Sequence, residues 1–402
     1  MATQTAQFVH DRAAPRSERP LVVCHCTIAH TELKSRSYHR QLLPLAETGV
    51  AVRYLAPMRP SALARGIDVV ELGRPANLLQ RVFAWPALLA KLVRQRAAIY
   101  HIQDPQLLPV AFVLKVVFRK RIVYDAYEDF PSIAAGKKSV PAVLRSTAAA
   151  VVALAEKFAA RFLDAIITAD PLTLRRFVRQ RKSRKLVFYN FPNLNFFPPP
   201  RPHHASFDLL YRGGLSERTG TYVLLDALRL LAARRNPPRL LLIGYFDDPR
   251  SEEALRQRMD GLGLGGLIEI RGRVAHERMA NAISEARIGI SPLLPVRKFR
   301  LNIPVKIFEY WACGLPVVAT DLAPMRPFFR DGEAGLLVPP ASATRLAGSI
   351  AHLLDHPDEA ACMGRRGRAL VSQRFNNVTE VQKLSRLFAS IASKSNQGRP
   401  PR

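Results

Sequence analysis

FDLLYRGGLSERTGTYVLLDALRLLAARRNPPRLLLIGYF (207–246) reads as strand, glycine turn, helix, strand. FDLLYRGGL (207–215) is a short apolar run that ends at Gly213 and Gly214. TYVLLDALRLLAARR (221–235) is long enough for a helix, and RLLLIGYF (239–246) is a second buried-strand candidate. The alternation continues downstream through LIEIRGRV (267–274), IGISPL (288–293), LPVVAT (315–320) and GLLVPP (335–340). It is present upstream too, in LVVCHCTI (21–28), VAVRYLAP (50–57), AAIYHIQD (97–104), RIVYDAYED (121–129), AIITAD (165–170) and LVFYNFP (186–192). SYHRQLLPLAETG (37–49), closed by Gly49, and LLPVAFVLKVVF (107–118) are helices between them. Strands that alternate with helices form parallel βαβ units with right-handed crossovers.

The proline-rich stretch PNLNFFPPPRPHH (192–204) cannot continue a helix or a central strand. It divides the chain into two doubly wound α/β sheets, and ligands of such sheets sit outside the carboxyl ends of the strands. The expected organisation is a disordered arm at 1–19, a first domain at 20–195, a linker at 196–206, a second domain at 207–375, and a closing helix and tail at 376–402. A length of 402 residues suits two domains.

A hydrophobic fraction of 48% excludes a disordered chain. No apolar stretch is long enough to predict a transmembrane helix. Charges at Asp11, Arg12, Arg16, Glu18 and Arg19 precede the first apolar run, so no secretory signal is expected. Sixty basic residues against thirty-two acidic ones give +28, a field that attracts nucleic acid, anionic lipid or phosphorylated substrates. Arginine makes up 47 of the 60, which fits a compositional bias but does not account for the shortage of acids. Cys24, Cys26, Cys313 and Cys362 have no zinc spacing. Cys24 and Cys26 share one strand face and read as a reduced, buried pair in a cytoplasmic protein.

The chemistry concentrates in NIPVKIFEYWACGLPVVATDLAP (302–324). Pro304 can open a helix, Gly314 closes it, and Lys306 and Glu309 share a face near its start. A helix N-terminus and a lysine favour a phosphate, and a carboxylate can accept two hydrogen bonds from a vicinal diol. On spacing alone, a surface ion pair with no ligand is the favoured reading of Lys306 and Glu309.

This string resembles the signature of family 4 glycosyltransferases, retaining enzymes of the GT-B fold. LLYRGGLSERTGTYVLLDAL (209–228), LLLIGYF (240–246), IEIRGRV (268–274), ARIGISPL (286–293) and DGEAGLLVPP (331–340) are similar to the family's donor domain. IYHIQDPQLLP (99–109), VYDAYEDFP (123–131) and LVFYNFP (186–192) resemble its acceptor domain. The resemblance implies an α/β GT-B architecture of two Rossmann-like doubly wound domains facing across a cleft. It implies a nucleotide-sugar donor, a lipid-linked or saccharide acceptor, and neither metal nor cofactor.

Position by position, the resemblance assigns the ribose to Glu309 and the diphosphate to Lys306 and Arg218. Asn302 and Ile303 line the sugar, Gly272, Arg273 and Val274 edge the base, and Gly213 and Gly214 turn beside the pyrophosphate. Tyr127 and Asp104 are the candidate catalytic groups; His101, Lys34, Arg36 and Glu128 are the candidate acceptor contacts. Asp104 can equally cap the following helix, and Tyr127 can equally be a packed aromatic. Three positions depart from the family pattern. Leu301 stands where many relatives have a second glutamate, Thr219 where they have a base, and Tyr127 where they have a histidine. An imidazole titrates near neutrality and a phenol far above it, so Tyr127 orients a hydroxyl better than it deprotonates one.

LLQRVFAWPALLAKLVRQR (78–96) and the basic run VRQRKSRK (178–185) fit a surface that docks on anionic lipid. The resulting expectation is a peripheral enzyme on the inner face of the cell membrane, in surface-polysaccharide assembly. The competing readings are a catalytically degenerate nucleotide-sugar binder and a basic nucleic-acid-binding α/β protein. The second leaves the Pro304–Lys306–Glu309 string without a role, so no nucleic-acid partner is expected.

Overall fold

The computed structural model describes residues 20–28, 35–57, 66–73, 80, 83–136, 140–180, 182–199, 205–246, 248–330 and 333–393. The predicted arm at 1–19, Lys34, residues 200–204 of the proline run and the end of the tail lie outside the described residues. The first sheet contains β1 (Val22–Cys26), β2 (Ala51–Ala56), β3 (Ile67–Glu71), β4 (Ile99–Ile102), β5 (Arg121–Ala126), β6 (Ala165–Thr168) and β7 (Arg184–Val187). The second contains β8 (Phe207–Gly214), β9 (Leu240–Tyr245), β10 (Ile268–Arg271), β11 (Ala286–Ser291), β12 (Val317–Thr320) and β13 (Gly335–Val338).

The orders are β3-β2-β1-β4-β5-β6-β7 and β10-β9-β8-β11-β12-β13, both all-parallel. Each is a doubly wound sheet whose strand order reverses beside its first strand, β1 or β8. The two-domain α/β expectation is thus met. The central strands are apolar throughout because helices cover both faces: every residue of β4, β6 and β12 is buried. Cys24 and Cys26 are buried free thiols on β1, as expected.

Two features differ from the expectation. Ser35–Leu42 is a π-helix that runs into the helix Leu43–Glu47, so the segment predicted as one helix starts under-wound. The closing helix Asn377–Ser393, expected only as a separate element after the second domain, packs on the first. Its Val381, Leu384, Phe388 and Ile391 pack among Val23, Tyr38, Leu42 and Tyr54 in the core of the first sheet. The chain therefore crosses between the halves twice, and the crossings touch where Asn377 N donates to the Pro192 carbonyl at 3.0 Å.

Candidate functional site between the two sheets

The helix Val305–Ala312 begins one residue after Pro304, which flanks the helix in an extended conformation rather than opening its first turn. Its inner face is fixed by packing. Ile307, Phe308, Tyr310 and Trp311 are buried, and a Cβ at Gly289 of β11 would fall 2.4 Å from the Tyr310 ring. Tyr310 Oη accepts the Arg212 amide at 2.8 Å, and Trp311 Nε1 donates to the Ala334 carbonyl at 2.9 Å. These contacts hold Lys306 and Glu309 against the carboxyl end of β8, where a doubly wound sheet places its ligand.

Glu309 is fully buried, with a cation on each oxygen. Arg40 of the first domain donates through Nη2 to Oε1 at 2.8 Å, and Arg212 of β8 donates through Nη1 to Oε2. Lys306 has no hydrogen-bonding or ion-pair partner among the described residues; its ammonium lies 3.9 Å from the centre of the Tyr211 ring. It also sits 3.0 Å from where a Cβ on Gly213 would be, and Gly213 has φ +141°. Burial drives the Lys306 pKa well below the lysine range, the nearby Arg212 guanidinium lowers it further, and Glu309 opposes both. Burial also lowers Arg40 to about 10, and its Nε is buried without a partner. Two guanidiniums and the Lys306 amine thus crowd one carboxylate at a largely buried site, and the depressed pKa of the lysine is the mark of that burial and crowding. Such a surplus is costly unless an anion joins it.

The residues expected around the diphosphate sit close by. Thr219, which replaces a base, is buried, and its hydroxyl ties the turn through the Gly214 and Ser216 carbonyls at 2.8 and 2.7 Å. Gly220 (φ +78°) has no room for a Cβ, which would lie 1.7 Å from the Pro292 carbonyl oxygen. Arg218 is exposed on this turn. Gly214 borders Tyr245, and the Arg273 guanidinium lies 4.2 Å from the Tyr245 ring centre, next to the exposed Gly272. Val274 packs instead against the apolar core, so only its backbone is available to edge a base.

Facing this, a cleft of about 300 Å³ is lined from both domains by Tyr127, Glu128, Arg36, Asn190, Asn302 and Ile303, among others. The structure therefore brings Asn302, Ile303, Tyr127 and Glu128 together at one cleft. Glu128 pairs with Lys298 of the second domain at 3.2 Å. Burial and the neighbouring Asp104 push the Tyr127 phenol far above the ordinary range, so it stays protonated and can donate but not serve as a base.

Four expectations need correction. His101 lies inside β4, fully buried, with its Nδ1 3.1 Å from that of His25 and its ring on Phe388; packing on every side keeps an acceptor away from it. Burial lowers His101 to about 4, so it is neutral. Asp104 Oδ2 is taken by the Thr27 hydroxyl and the Ile28 amide, both at 2.7 Å, and the side chain is buried. It fastens the loop after β1 instead of meeting substrate. Arg36 is buried and spends its fork on Asp125 (2.8 and 3.2 Å), the Phe188 carbonyl (3.0 Å) and Asn190 (2.6 Å), which makes it a strut under the cleft. Glu309 is sealed beneath Arg40 and Arg212, so contact with a ribose requires the Arg40–Glu309 pair to part. Arg40 and Arg212 themselves were missed, because one arginine among 47 carries no local signal.

Residues 206–356 match the family model described as "Glycosyl transferases group 1". A curated relative, the phosphatidyl-myo-inositol mannosyltransferase of Mycobacterium leprae, is 36% identical over 150 residues, which cover 36% of this chain. The match spans only 37% of that relative's length. Sucrose-phosphate synthase from Thermosynechococcus elongatus superposes with a TM-score of 0.73 at 20% identity, covering 94% of this chain and 100% of that one. HepE of Anabaena, crystallised with UDP-glucose, gives 0.70 at 16%, covering 92% and 100%. Residues 206–356 are thus similar to the group 1 glycosyl transferases, and the two halves of the chain together adopt the GT-B fold.

Proposed function

We propose that this protein is a retaining, metal-independent glycosyltransferase that moves a sugar from a nucleotide-sugar to a lipid-linked saccharide or growing polysaccharide at the cytoplasmic membrane face. The observation that carries the reading is the basic cluster of Arg40 and Arg212 on the single carboxylate of Glu309, with the buried Lys306 amine beside them, held below its ordinary pKa by burial and for want of an anion. A nucleoside diphosphate supplies the missing anion, and it gains charge as the glycosidic bond breaks. Preorganised cations in a closed site stabilise that charge, which is the work a metal does elsewhere. The sugar then lies toward Asn302 and Ile303, with Tyr127 orienting the incoming hydroxyl by donating to it. Asp104, Asp125 and Glu128 are each bonded to protein groups, so a hydrolase-like nucleophile and acid pair has no free members here. Transfer on the face from which the nucleotide departs needs no such pair.

The relative that acts on phosphatidyl-myo-inositol supports a lipid-borne acceptor, and the neighbour holding UDP-glucose supports a nucleotide-sugar donor. The sealing of Glu309 favours a second reading, a protein that binds the nucleotide without turnover.

The test is a thermal-shift panel of UDP-, GDP- and ADP-sugars followed by a transfer assay with the ligand that binds. One base series should raise the melting temperature by mass action. No shift with any of the three would refute the donor site, and a shift without turnover would select the second reading.

A further inference from the structure

Sixteen large apolar side chains are exposed among the described residues, and eleven of them fall between positions 112 and 162. Single exposed apolar residues are ordinary, but a concentration of this kind marks an interaction surface. Phe112, Val116 and Val117 follow along the helix Leu108–Val116 and its end. Leu154 and Phe158 stand on the neighbouring helix Arg145–Ala159. Ring centres join the two: Phe112 lies 6.1 Å from Phe158 and 5.2 Å from Phe162, and Phe158 lies 5.2 Å from Phe162. Of the two stretches that the sequence suggested for lipid contact, 178–185 contributes Arg179 and Lys182 to a groove beside this face, whereas 78–96 behaves differently. The helix Trp85–Arg94 buries Leu88 and Leu92 and packs Trp85 and Leu89 on the core.

Phe162 also lines a groove of about 1270 Å³ that opens beside this face. Among the described residues Asp129 is the only acidic one on that groove, and Arg176 already pairs with it at 3.1 Å. Lys157, Arg161, Arg175, Arg179 and Lys182 also line it, and none meets a carboxylate among the described residues. An apolar face bordered by unpaired cations matches the interface of an anionic bilayer, where rings enter the acyl boundary and bases meet headgroup phosphates. A nucleic acid would satisfy the bases but leave the aromatic face in water.

We infer that the Phe112–Phe158–Phe162 face and the adjoining basic groove dock this protein on an anionic membrane surface. The inference deepens the membrane-face reading above and rests on it for its setting. The groove also reaches Arg297 and Leu301 of the second domain, so a lipid-borne substrate held there stands next to the cleft.

The experiment sediments the full chain with phosphatidylglycerol–phosphatidylcholine vesicles and with pure phosphatidylcholine vesicles. The protein should pellet with the first and stay in solution with the second. Arg175→Ser with Arg179→Ser should weaken binding about 30-fold, from the contribution of two surface bases. Leu154→Asn with Phe158→Asn should weaken it about tenfold or more. All four positions are exposed, so the nucleotide-sugar thermal shift serves as the check on folding and on the donor reading independently of docking. Failure to pellet with anionic vesicles while that shift persists would overturn the docking inference alone. So would binding indifferent to both double substitutions, retention by single-stranded DNA in place of vesicles, or a dimer that the Asn pair dissolves without any vesicle binding.

Discussion

Glu309→Gln tests the charge argument at its centre. The substitution keeps the side chain's shape and removes the one negative charge among Arg40, Arg212 and Lys306. Removing one partner of a buried ion pair costs about 3–5 kcal/mol, because the remaining charge is stranded. Arg40 is stranded completely, whereas Arg212 keeps about a quarter of its side-chain surface in solvent and recovers part of its hydration. The lower end, about 3 kcal/mol, is therefore expected. For a domain of this size that corresponds to a fall of about 6–12 °C in Tm. Added pyrophosphate should restore much of the loss, since an external anion then compensates the basic cluster. UDP should restore less than pyrophosphate does relative to wild type. If the carboxylate also holds the ribose, UDP loses charged hydrogen bonds worth about 1.5–3 kcal/mol, a penalty of about 10- to 150-fold. Differential scanning fluorimetry with pyrophosphate and UDP reads both effects. An unchanged ligand-free Tm would refute the charge ledger, and equal responses to the two anions would remove the ribose from Glu309.

The other predictions concern the same cleft and its rim. Lys306→Ala should lower kcat more than it raises the donor Kd, because the lysine matters most as leaving-group charge develops; equal losses in both would reduce it to a plain binding contact. Arg40→Met should free one Glu309 oxygen and loosen the contact between domains, so proteolysis in the 192–206 crossing should quicken while the isolated fold persists; unchanged cleavage would show that the pair is no latch. Tyr127→Phe should raise the acceptor KM and leave donor binding intact, and a pH–rate profile lacking any phenol-like limb is expected in wild type. Acid should destabilise the protein below about pH 6.5, where unfolded histidine takes up protons and native His276 (about 2) and His101 (about 4) do not. Both native values are depressed, so stability is present at neutral pH and falls with acidification. The loss is about 2 kcal/mol per histidine by pH 5, and a flat Tm from pH 7 to 5 would contradict it.

Much of the architecture was visible in the chain because parallel strands covered on both faces read as unbroken apolar runs, as in VVCHC, IYHI and LLLIGY. The edges were harder. Ile67–Glu71 was not anticipated, since an edge strand carries Asp68 and Glu71 and shows no full apolar run. The last strand of the first sheet lies at Arg184–Val187, earlier than LVFYNFP suggested, because its first half is basic. The Lys306–Glu309 face was legible from spacing, but what Glu309 touches was not: Arg40 is 269 positions away in sequence. His101 misled for the opposite reason, since the end of a central strand reads alike whether its side chain meets the cleft or the layer of helices.

The double crossing between the halves has a mechanical corollary. Two straps, clasped to each other at Pro192 and Asn377, resist swivelling more than a single strap does. Asn193 Nδ2 donates to the His39 carbonyl at 3.3 Å and Asn377 Nδ2 to the Arg40 carbonyl at 3.4 Å, so the straps also anchor the backbone that carries Arg40. Any opening of the lobes then pivots about an axis beside Arg40, where the lever arm is shortest. The Arg40–Glu309 and Glu128–Lys298 pairs are then ion pairs of the cleft that such an opening has to break.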